Sequence, residues 1–493
     1  MSEGRHASHP RRGFPDRRLP RAPSLLLMAC LAWVGSAPAA AEQERIVRAM
    51  TEAPAFSAEV SAMLEPFSWQ ADKAPERFGR LELALLREQL RPALAEQPRL
   101  LVQLSREQEA GFRIDEARAE RRPQLQLGLE HRSSLREVDR NAFDRGTRVD
   151  AIASVSQLLF DFGASGQRVR SAELGAEAER WQSRASTEQL LMDGLQTYYD
   201  VLRFRMQVAL AEDNVERHQR ILEDVQERRT AGAGSRADVL RAQSRIADAR
   251  SRLVSLQGQL ARARNAYIEI FAQAPGSDMA LPRLPLRIAV EDVEAALSRA
   301  MRENSALKRS LTQTDASAAA ARAERNSRWP RVSLSLQGRQ FDVNDPSDRD
   351  TDMAVLVNVE YSPYTGGASS SRVDQADARL NQARHERAAL QRELASQFRS
   401  ALTDAEARES AWQAQTLAVE ADREALEAYR AQFVLGRRGL TDMLDAQRDL
   451  FQSVLQLVDY RIDWDLARFN YLYVSGELLP TLELTAPARG TGQ

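Results

Sequence analysis

Apolar residues follow two different periods along this chain. In one long segment, small and aliphatic side chains largely recur every three or four residues, which is the period of one face of an α-helix. The members of this row are Ala376, Leu380, Ala383, Leu390, Leu394, Ala401 and Ala405. Because many of them are small, the row predicts close helix–helix contact of the coiled-coil kind.

Alternation of apolar and polar residues predicts two β-hairpins. Residues 125–129 alternate leucine with glutamine or glycine, and a second strand-like run ends at Leu159-Phe160 after a polar stretch. Residues 332–336 alternate aliphatic residues with serine, and residues 353–361 again place an apolar residue at every second position. Four strands of about this length would each span a bilayer when tilted.

Proline is absent from residues 124 to 274 and from 364 to 479, which leaves room for long helices. The segment 164–229 is rich in Ala, Leu, Glu, Gln and Arg. At ~1.5 Å per residue it would extend ~100 Å as one helix. The prolines from Pro275 to Pro285 separate the two halves.

The two halves of the chain repeat one another. The motif beginning Arg122-Pro123 corresponds to the one beginning Trp329-Pro330, an offset of 330 − 123 = 207 residues. Asp238-Val-Leu-Arg-Ala-Gln243 corresponds to Asp442-Met-Leu-Asp-Ala-Gln447, an offset of 442 − 238 = 204 residues. Each copy predicts a helix, a β-hairpin, a long helix, a tight turn and a returning helix.

The N-terminus predicts export. Arginines precede the apolar run Leu25–Val34, and small residues follow up to Ala41, which is the order of a secretory signal. Cys30 is the only cysteine; it is interpreted as a buried signal residue, with lipid attachment as the alternative. The predicted divisions are a signal peptide (1–41), an N-terminal extension without an assigned role (42–79), a first repeat (80–275, strands about 123–160, turn about 230–237), a linker (276–290), a second repeat (291–480, strands about 330–362, turn about 434–441) and a tail (481–493).

Composition excludes several classes of protein. The formal net charge of −2 offers no broad basic face for nucleic acid. Without Cys30 the mature chain has no cysteine for disulfides or thiolate zinc sites. Outside the signal no apolar stretch approaches the ~20 residues of a spanning helix, so a membrane would be crossed by strands. Four strands cannot close a barrel, and open edges are not tolerated in lipid, so several copies must share one barrel.

Over most of residues 80–480 these features resemble the TolC family of outer-membrane efflux and secretion channels. The motifs are Leu159-Phe-Asp-Phe-Gly163, the turn Phe433–Gln447, and the C-terminal stretch from Tyr460 to Leu478, together with the duplication. The resemblance implies a mainly α fold with a membrane β-barrel part. Each of three chains would give four strands to a shared twelve-stranded barrel, and duplicated coiled-coil hairpins would form an α-helical periplasmic tunnel.

The resemblance also implies a function. The homotrimer would be an exit duct in the outer membrane, in contact with its lipid, and would conduct substrates passively. A periplasmic adaptor protein would connect it to an inner-membrane pump (ABC or proton-driven). The ending Gly476-Glu-Leu478 is slightly more similar to type I secretion channels than to drug-efflux channels. No cofactor, metal, catalytic residue or nucleic-acid partner is expected.

Site residues follow from the same resemblance. Asp442 and Asp445 match carboxylates that ring the entrance; being one helical turn apart they share a helix face, and three copies would favour cations. Arg438 and Asp238 map to closed-state contacts between neighbouring hairpins. Phe433 stands where a tyrosine hydroxyl often helps to close the gate. The turns would lie at the periplasmic tip where an adaptor docks, and their glycines are Gly232, Gly234, Gly436 and Gly439.

Helix capping is the alternative role for these aspartates. Asp238 and Asp442 occupy the predicted first turn of a returning helix, where the helix dipole and free amides favour a carboxylate. For Asp238, capping and gating are equally supported, whereas the entrance role is favoured for Asp442 with Asp445. The stripe of Leu440, Leu444, Phe451 and Val454 predicts packing.

Two other functions fit the sequence less well. An enzyme is not expected, because the five histidines are scattered and neither metal-ligand spacing nor a nucleophile constellation is present. A periplasmic adaptor would also have a coiled-coil hairpin, but only one, flanked by small β-domains. Here the hairpin is doubled and each strand pair lies inside a helical run, so the channel is predicted and the adaptor is its alternative.

Overall fold

The computed structural model describes residues 86–88, 90–91, 97–139, 142–232, 234–277, 279–282, 292–343 and 350–484. All of them belong to one compact unit, residues 55–493. The predicted signal peptide (1–41) and extension (42–79) lie outside the described residues, as do residues 283–290 of the predicted linker and 485–493 of the tail.

Long helices and four strands alternate along the chain as the patterns predict. In chain order the elements are α1 (Pro98–Ala119), β1 (Gln124–Asp139), β2 (Ala142–Phe160), α2 (Ala164–Thr230), α3 (Arg236–Phe271), α4 (Val293–Glu303), α5 (Ser305–Asn326), β3 (Arg331–Gln340), β4 (Thr351–Glu360), α6 (Ala368–Val434), α7 (Leu440–Ser475) and α8 (Leu478–Thr481). Searching the described helices for one long and apolar enough to cross a membrane identifies none.

Helix lengths confirm the duplicated hairpins. Helices α2 and α6 both have 67 residues, and α3 and α7 both have 36. The starts of α2 and α6 are 368 − 164 = 204 residues apart, and those of α3 and α7 are 440 − 236 = 204 apart. The two copies are therefore offset by the same number of residues along both arms of the long hairpin.

The predicted apolar row of α6 is the face that packs against α5 and α7. Ala376 and Leu380 contact Ala321 of α5, while Leu394 and Ala401 lie in a cluster that includes Tyr471 of α7. Small side chains let these backbones approach closely, so the helices pack side by side without a thick core. Six of the seven predicted positions are buried, namely Ala376, Leu380, Ala383, Leu394, Ala401 and Ala405.

The four strands form one antiparallel sheet in the order β1-β2-β3-β4. Residues paired across neighbouring strands lie on the same face, so the register defines rows across the sheet. One face carries aliphatic rows, such as Leu125, Val155, Leu336 and Val355. The opposite face carries rows that are mostly polar, such as Gln126, Ser154 and Gln337 with Ala354.

The aliphatic face of this sheet is open within one chain. Leu127 is 75% exposed, Met353 is 77% exposed and Val357 is 64% exposed. Strands β1 and β4 are also the two edges, each hydrogen-bonded to a single neighbouring strand among the described residues. The sheet thus has an apolar face and two unpaired edges that the chain itself does not cover.

The largest core lies where α2, α3 and α7 meet. Tyr198, Tyr199 and Phe469 are all 0% exposed, and their rings form a chain of edge contacts at 5.8 and 6.0 Å between centroids. The Tyr198 hydroxyl donates to the Ala280 carbonyl at 2.7 Å and accepts from the Ala280 amide at 3.2 Å. The Tyr199 hydroxyl is buried with no hydrogen-bond partner among the described residues.

A buried cluster of charged side chains lies on α7 near this core. Asp465 is 0% exposed and lies 3.4 Å from both Arg461 and Arg468. Burial raises the pKa of Asp465, and the two guanidinium groups oppose that rise. The Trp412 ring of α6 stacks on the Trp464 ring of α7 at 5.0 Å between centroids. The Arg461 guanidinium lies over both rings, so charge and packing together hold α6 against α7.

Replacing each adjacent tyrosine with phenylalanine tests the hydrogen bonding of this core. Tyr198→Phe leaves the Ala280 amide and carbonyl unpaired, so the free energy of unfolding should fall by about 1–2 kcal/mol. Tyr199→Phe removes an unpaired buried hydroxyl and should be neutral or stabilising. Denaturant unfolding of the purified protein, followed by circular dichroism, measures both. Equal losses would show that the Tyr199 hydroxyl has a partner.

Candidate functional site

The first hairpin turn joins α2 to α3 and contains Gly232 and Gly234. Gly232 has φ = 75°, a left-handed conformation that L side chains rarely adopt. A Cβ at Gly234 would lie 2.9 Å from the backbone nitrogen of Arg229. These two glycines let the chain reverse within a few residues after a very long helix.

The second turn joins α6 to α7 and contains Gly436 and Gly439. Gly436 has φ = 68°, and the Arg437 amide donates to the Gln432 carbonyl at 2.9 Å, which closes the end of α6. Gly439 is the N-cap of α7 and is extended at φ = −74°, ψ = 156°. With no side chain at this position, α7 begins without a side-chain cap.

Asp238 acts as a helix cap in the structure. Its carboxylate accepts from the Ser235 hydroxyl at 2.7 Å and from the Ser235 amide at 3.3 Å. The Ser235 hydroxyl oxygen in turn accepts the Asp238 amide at 3.1 Å. This reciprocal capping box satisfies free amides at the start of α3.

Asp442 occupies the equivalent position of the second copy but makes different contacts. The residue equivalent to Ser235 is Gly439, since 235 + 204 = 439, and a glycine cannot complete a capping box. The Asp442 carboxylate instead lies 3.5 Å from the guanidinium of Arg438. It is 46% exposed, so the missing cap leaves this charge at the surface of the turn.

Arg438 does not pair with Asp238 within one chain. Its guanidinium donates to the Gln432 side chain at 3.1 Å and lies 4.6 Å from the centroid of the Tyr429 ring. The predicted Arg438–Asp238 contact between neighbouring hairpins stays a prediction, since its partner hairpin would come from another copy of the chain. Within one chain, Asp442 is the carboxylate that Arg438 meets.

Asp445 is held between two arginines. Arg245 of α3 donates to it at 2.9 Å, and Arg448, one turn further along α7, lies 3.2 Å away. The Arg245 pair joins the first hairpin to the second. Arg241 adds a second link by donating to the Thr441 hydroxyl at 2.9 Å. The two turns therefore lie side by side at the same end of the hairpins.

Sequence reasoning missed Arg241, Arg245 and Thr441. A signal was present in the repeat, because 241 + 204 = 445 and 245 + 204 = 449. Arginines in α3 thus stand where α7 carries Asp445 and Asp449. Opposite charges at equivalent positions favour pairing once the two helices lie side by side.

Phe433 packs in the small core at the turns. Its neighbours in this cluster include Val225, Val239 and Leu444, and the Arg228 guanidinium lies 4.5 Å from its ring centroid. A phenylalanine contributes burial and a cation–π contact but no hydroxyl hydrogen bond. The predicted packing stripe is also found here and further along α7, with Leu440, Leu444 and Phe451 buried.

Exchanging the two N-caps tests the asymmetry of the turns. Gly439→Ser would complete a box with Asp442 and stabilise the first turn of α7, while Ser235→Gly would weaken the start of α3. Each change should be worth about 0.5 kcal/mol, or about a twofold change in local amide exchange, in opposite directions. Hydrogen exchange of peptides covering 436–450 and 232–246 measures both; unchanged exchange in both variants would contradict the assigned caps.

Comparison with known proteins places this geometry in a family. The sequence pattern of the family described as outer membrane efflux protein matches residues 90–271 and 296–471. The chain is 25% identical to outer membrane efflux protein BepC of Brucella suis over 327 residues, which cover 66% of this chain and 71% of that protein. It is 25% identical to outer membrane protein TolC of Vibrio cholerae over 318 residues, which cover 62% of this chain and 72% of that protein.

Solved structures show the same fold. The outer membrane protein VceC of Vibrio cholerae aligns with a TM-score of 0.70 at 17% identity, covering 83% of this chain and 99% of that one. The family match spans both halves of the duplication, including both hairpins. The chain therefore belongs to the TolC-like family of outer membrane efflux proteins, and it is an efflux channel protein of the outer membrane.

Proposed function

We propose that three copies of this chain form one continuous exit duct. The four-stranded sheets would join edge to edge into a twelve-stranded barrel in the outer membrane, and the long hairpins would form a tunnel through the periplasm. The unpaired edges of β1 and β4 support this assembly, because lipid leaves no water to satisfy an open edge. The sheet's aliphatic and polar faces fit lipid outside and a channel inside.

Cross-linking β1 to β4 tests this assembly. Gln126 and Ala354 lie on the polar face, and the described residues contain no cysteine. Closing a barrel staggers the strands by a fixed shear, so Ala354→Cys is combined in turn with a cysteine at each polar-face position of β1 from Gln124 to Arg132. With a short bis-maleimide, at least one of these double variants should give covalent trimers. Each single variant should stay monomeric, because equivalent residues of successive copies lie four strands, or ~19 Å, apart. Monomeric double variants at every one of these β1 positions, or single variants cross-linked as efficiently as the doubles, would contradict the shared barrel.

We place the periplasmic entrance at the two turns. Asp442 and Asp445 of three copies would form a negative ring, and Arg438 and Asp238 would contribute closed-state contacts between neighbouring hairpins. Asp442 takes no part in a capping box because the N-cap of α7 is Gly439, whereas Asp238 is bonded to Ser235 in such a box. This difference supports the entrance role of Asp442. Asp445 would contribute most to the negative ring when its carboxylate is separated from Arg245. Opening of the entrance would therefore expose the Asp445 charge as well as widen the pore.

The turns would also be the docking site of a periplasmic adaptor protein that connects the duct to an inner-membrane pump. Gly232, Gly234, Gly436 and Gly439 keep these turns compact, and Arg229 and Arg437 present exposed charges beside them. For the cargo we favour type I protein secretion over drug efflux, because Gly476-Glu-Leu478, which directly follows α7, resembles the ending of type I secretion channels. The duct would conduct passively and catalyse no reaction.

Single-channel conductance in planar bilayers tests the entrance. Wild-type protein should show a small cation-selective conductance. Asp442→Asn combined with Asp445→Asn should lower the cation-to-anion permeability ratio by about fivefold, which corresponds to ~1 kcal/mol per permeating ion. Asp404→Asn, an exposed site on α6 far from the turns, is the matched control.

Each result discriminates between the possible functions. Unchanged selectivity in the double variant would reject the acidic entrance while leaving the channel intact. A protein that shows no conductance and fractionates as soluble periplasmic material would reject the duct in favour of the adaptor alternative.

A further inference from the structure

Three exposed aromatic rings form a cluster where the sheet meets the helices. The rings of Phe160 and Phe162 lie 4.8 Å apart between centroids, and Phe162 stacks on Trp329 at 5.6 Å. Although the rings contact one another, Phe160 remains 55% exposed, Phe162 44% and Trp329 59%. Soluble surfaces rarely expose several large apolar side chains side by side, so this aromatic cluster indicates a surface that contacts an apolar partner.

The aromatic cluster continues the aliphatic face of the sheet. The register pairs Phe160 with Val332, which lies on the same face of β3 as Leu336. Phe160 ends β2, and Trp329 lies two residues before β3, which begins at Arg331. Strands β2 and β3 are the two central strands, whereas neighbouring copies would join at β1 and β4. A neighbouring sheet therefore does not cover these rings.

Phe162 has a backbone conformation that a phenylalanine disfavours. Its φ is 54°, in the left-handed region, and the equivalent residue of the second copy, at 162 + 204 = 366, is Gly366 with φ = 64°. Asp161 fixes the turn, because its carboxylate accepts the amides of Gly163 at 3.1 Å and Ser165 at 2.6 Å. A glycine would fit this turn without strain, so the ring of Phe162 indicates a role outside the fold of one chain.

Unpaired arginines lie in the turns beside the aromatic cluster. Arg121 and Arg328 are exposed in the turns that precede β1 and β3, and neither forms an ion pair with another residue that the structure describes. Glu120, the acidic neighbour of Arg121, is bonded to Arg168 at 2.6 Å instead. Apolar rings beside free guanidinium groups fit a partner that is apolar on one side and anionic on the other, as a phospholipid is.

We propose that the aromatic cluster anchors the barrel in the headgroup region of the phospholipid leaflet that faces the periplasm. Aromatic residues are enriched at the boundary between acyl chains and headgroups, and the arginines beside them would reach the phosphates. The anchor fixes the depth of the sheet in the membrane, which explains why a ring is retained at the strained position 162. This inference rests on the proposed barrel, because the rings meet lipid only if the aliphatic face does.

Depth-dependent quenching of Trp329 fluorescence tests the anchor. The full chain is reconstituted into phosphatidylcholine vesicles that carry a nitroxide either on the headgroup or near the end of an acyl chain. The signal of Trp329 is the difference between wild type and Trp329→Phe, so the other tryptophans cancel. The headgroup nitroxide should quench this signal at least about twofold more strongly than the chain-end nitroxide, since the ring would lie at headgroup level.

Variants at position 162 test why the ring is retained. Phe162→Gly and Phe162→Ala both remove the ring, so both should lower the headgroup-to-chain quenching ratio of Trp329 toward one. Phe162→Tyr is the matched control, because it keeps a ring and should keep the wild-type ratio. Thermal unfolding in detergent, followed by circular dichroism, verifies that the variants are folded. Phe162→Gly should unfold at a higher temperature than Phe162→Ala, because only glycine adopts the left-handed turn without strain.

The outcomes separate the anchor from the channel. Equal quenching by the two nitroxides would overturn the anchor. No quenching by either nitroxide, in vesicles where the protein conducts ions, would show that protein covers the rings; the anchor would fall and the channel would remain. An unchanged quenching ratio in both ring-free variants would overturn the role of Phe162. A protein that does not associate with vesicles would overturn the anchor and the proposed barrel together.

Discussion

Backbone hydrogen bonding at the two edges of the sheet is the constraint on which the rest of the structure depends. Strands β1 and β4 each have one free edge within the described chain, and an apolar solvent cannot satisfy their amides and carbonyls. Only another copy of the same sheet offers matching strands with the same division into apolar and polar faces. In the proposed trimer, the helices that follow β2 and β4 would be arranged around one axis, and the turns at their far ends would meet there.

The two hairpins of the duplication have equal size, but substitutions between the copies give their turns different contacts. Serine at position 235 engages Asp238 in a cap, while glycine at 439 leaves Asp442 uncapped and beside Arg438. Arginines of α3 stand where α7 carries aspartates, so the copies attract each other through Arg245 and Asp445. One hairpin thus provides the cations and the other the anions of their contact.

Patterns in the sequence predict much of the architecture. Long proline-free segments predict helices α2 and α6. Alternation of apolar and polar residues, such as that of residues 125–129, predicts the strands. The capping alternative for Asp238 follows from its place in the predicted first turn of a returning helix, and the structure shows that cap. These features depend on neighbours close in the chain, which is why a pattern can predict them.

Contacts between the hairpins were not predictable in the same way. Arg245 and Asp445 are 200 residues apart, and their meeting depends on the relative height of two helices. The joining of β2 to β3 likewise depends on where a distant helix returns the chain.

The equal helix lengths limit how this protein can change in size during evolution. Adding one residue to α2 alone would move its turn by ~1.5 Å and rotate it by ~100°, away from Thr441 and Asp445. The two turns stay level only if both arms of both hairpins change together, since α2 and α6 have 67 residues and α3 and α7 have 36. Natural length variants should therefore lengthen or shorten all four helical arms together, by a number of residues close to a multiple of seven. The distance that the protein bridges across the envelope would then change in discrete steps.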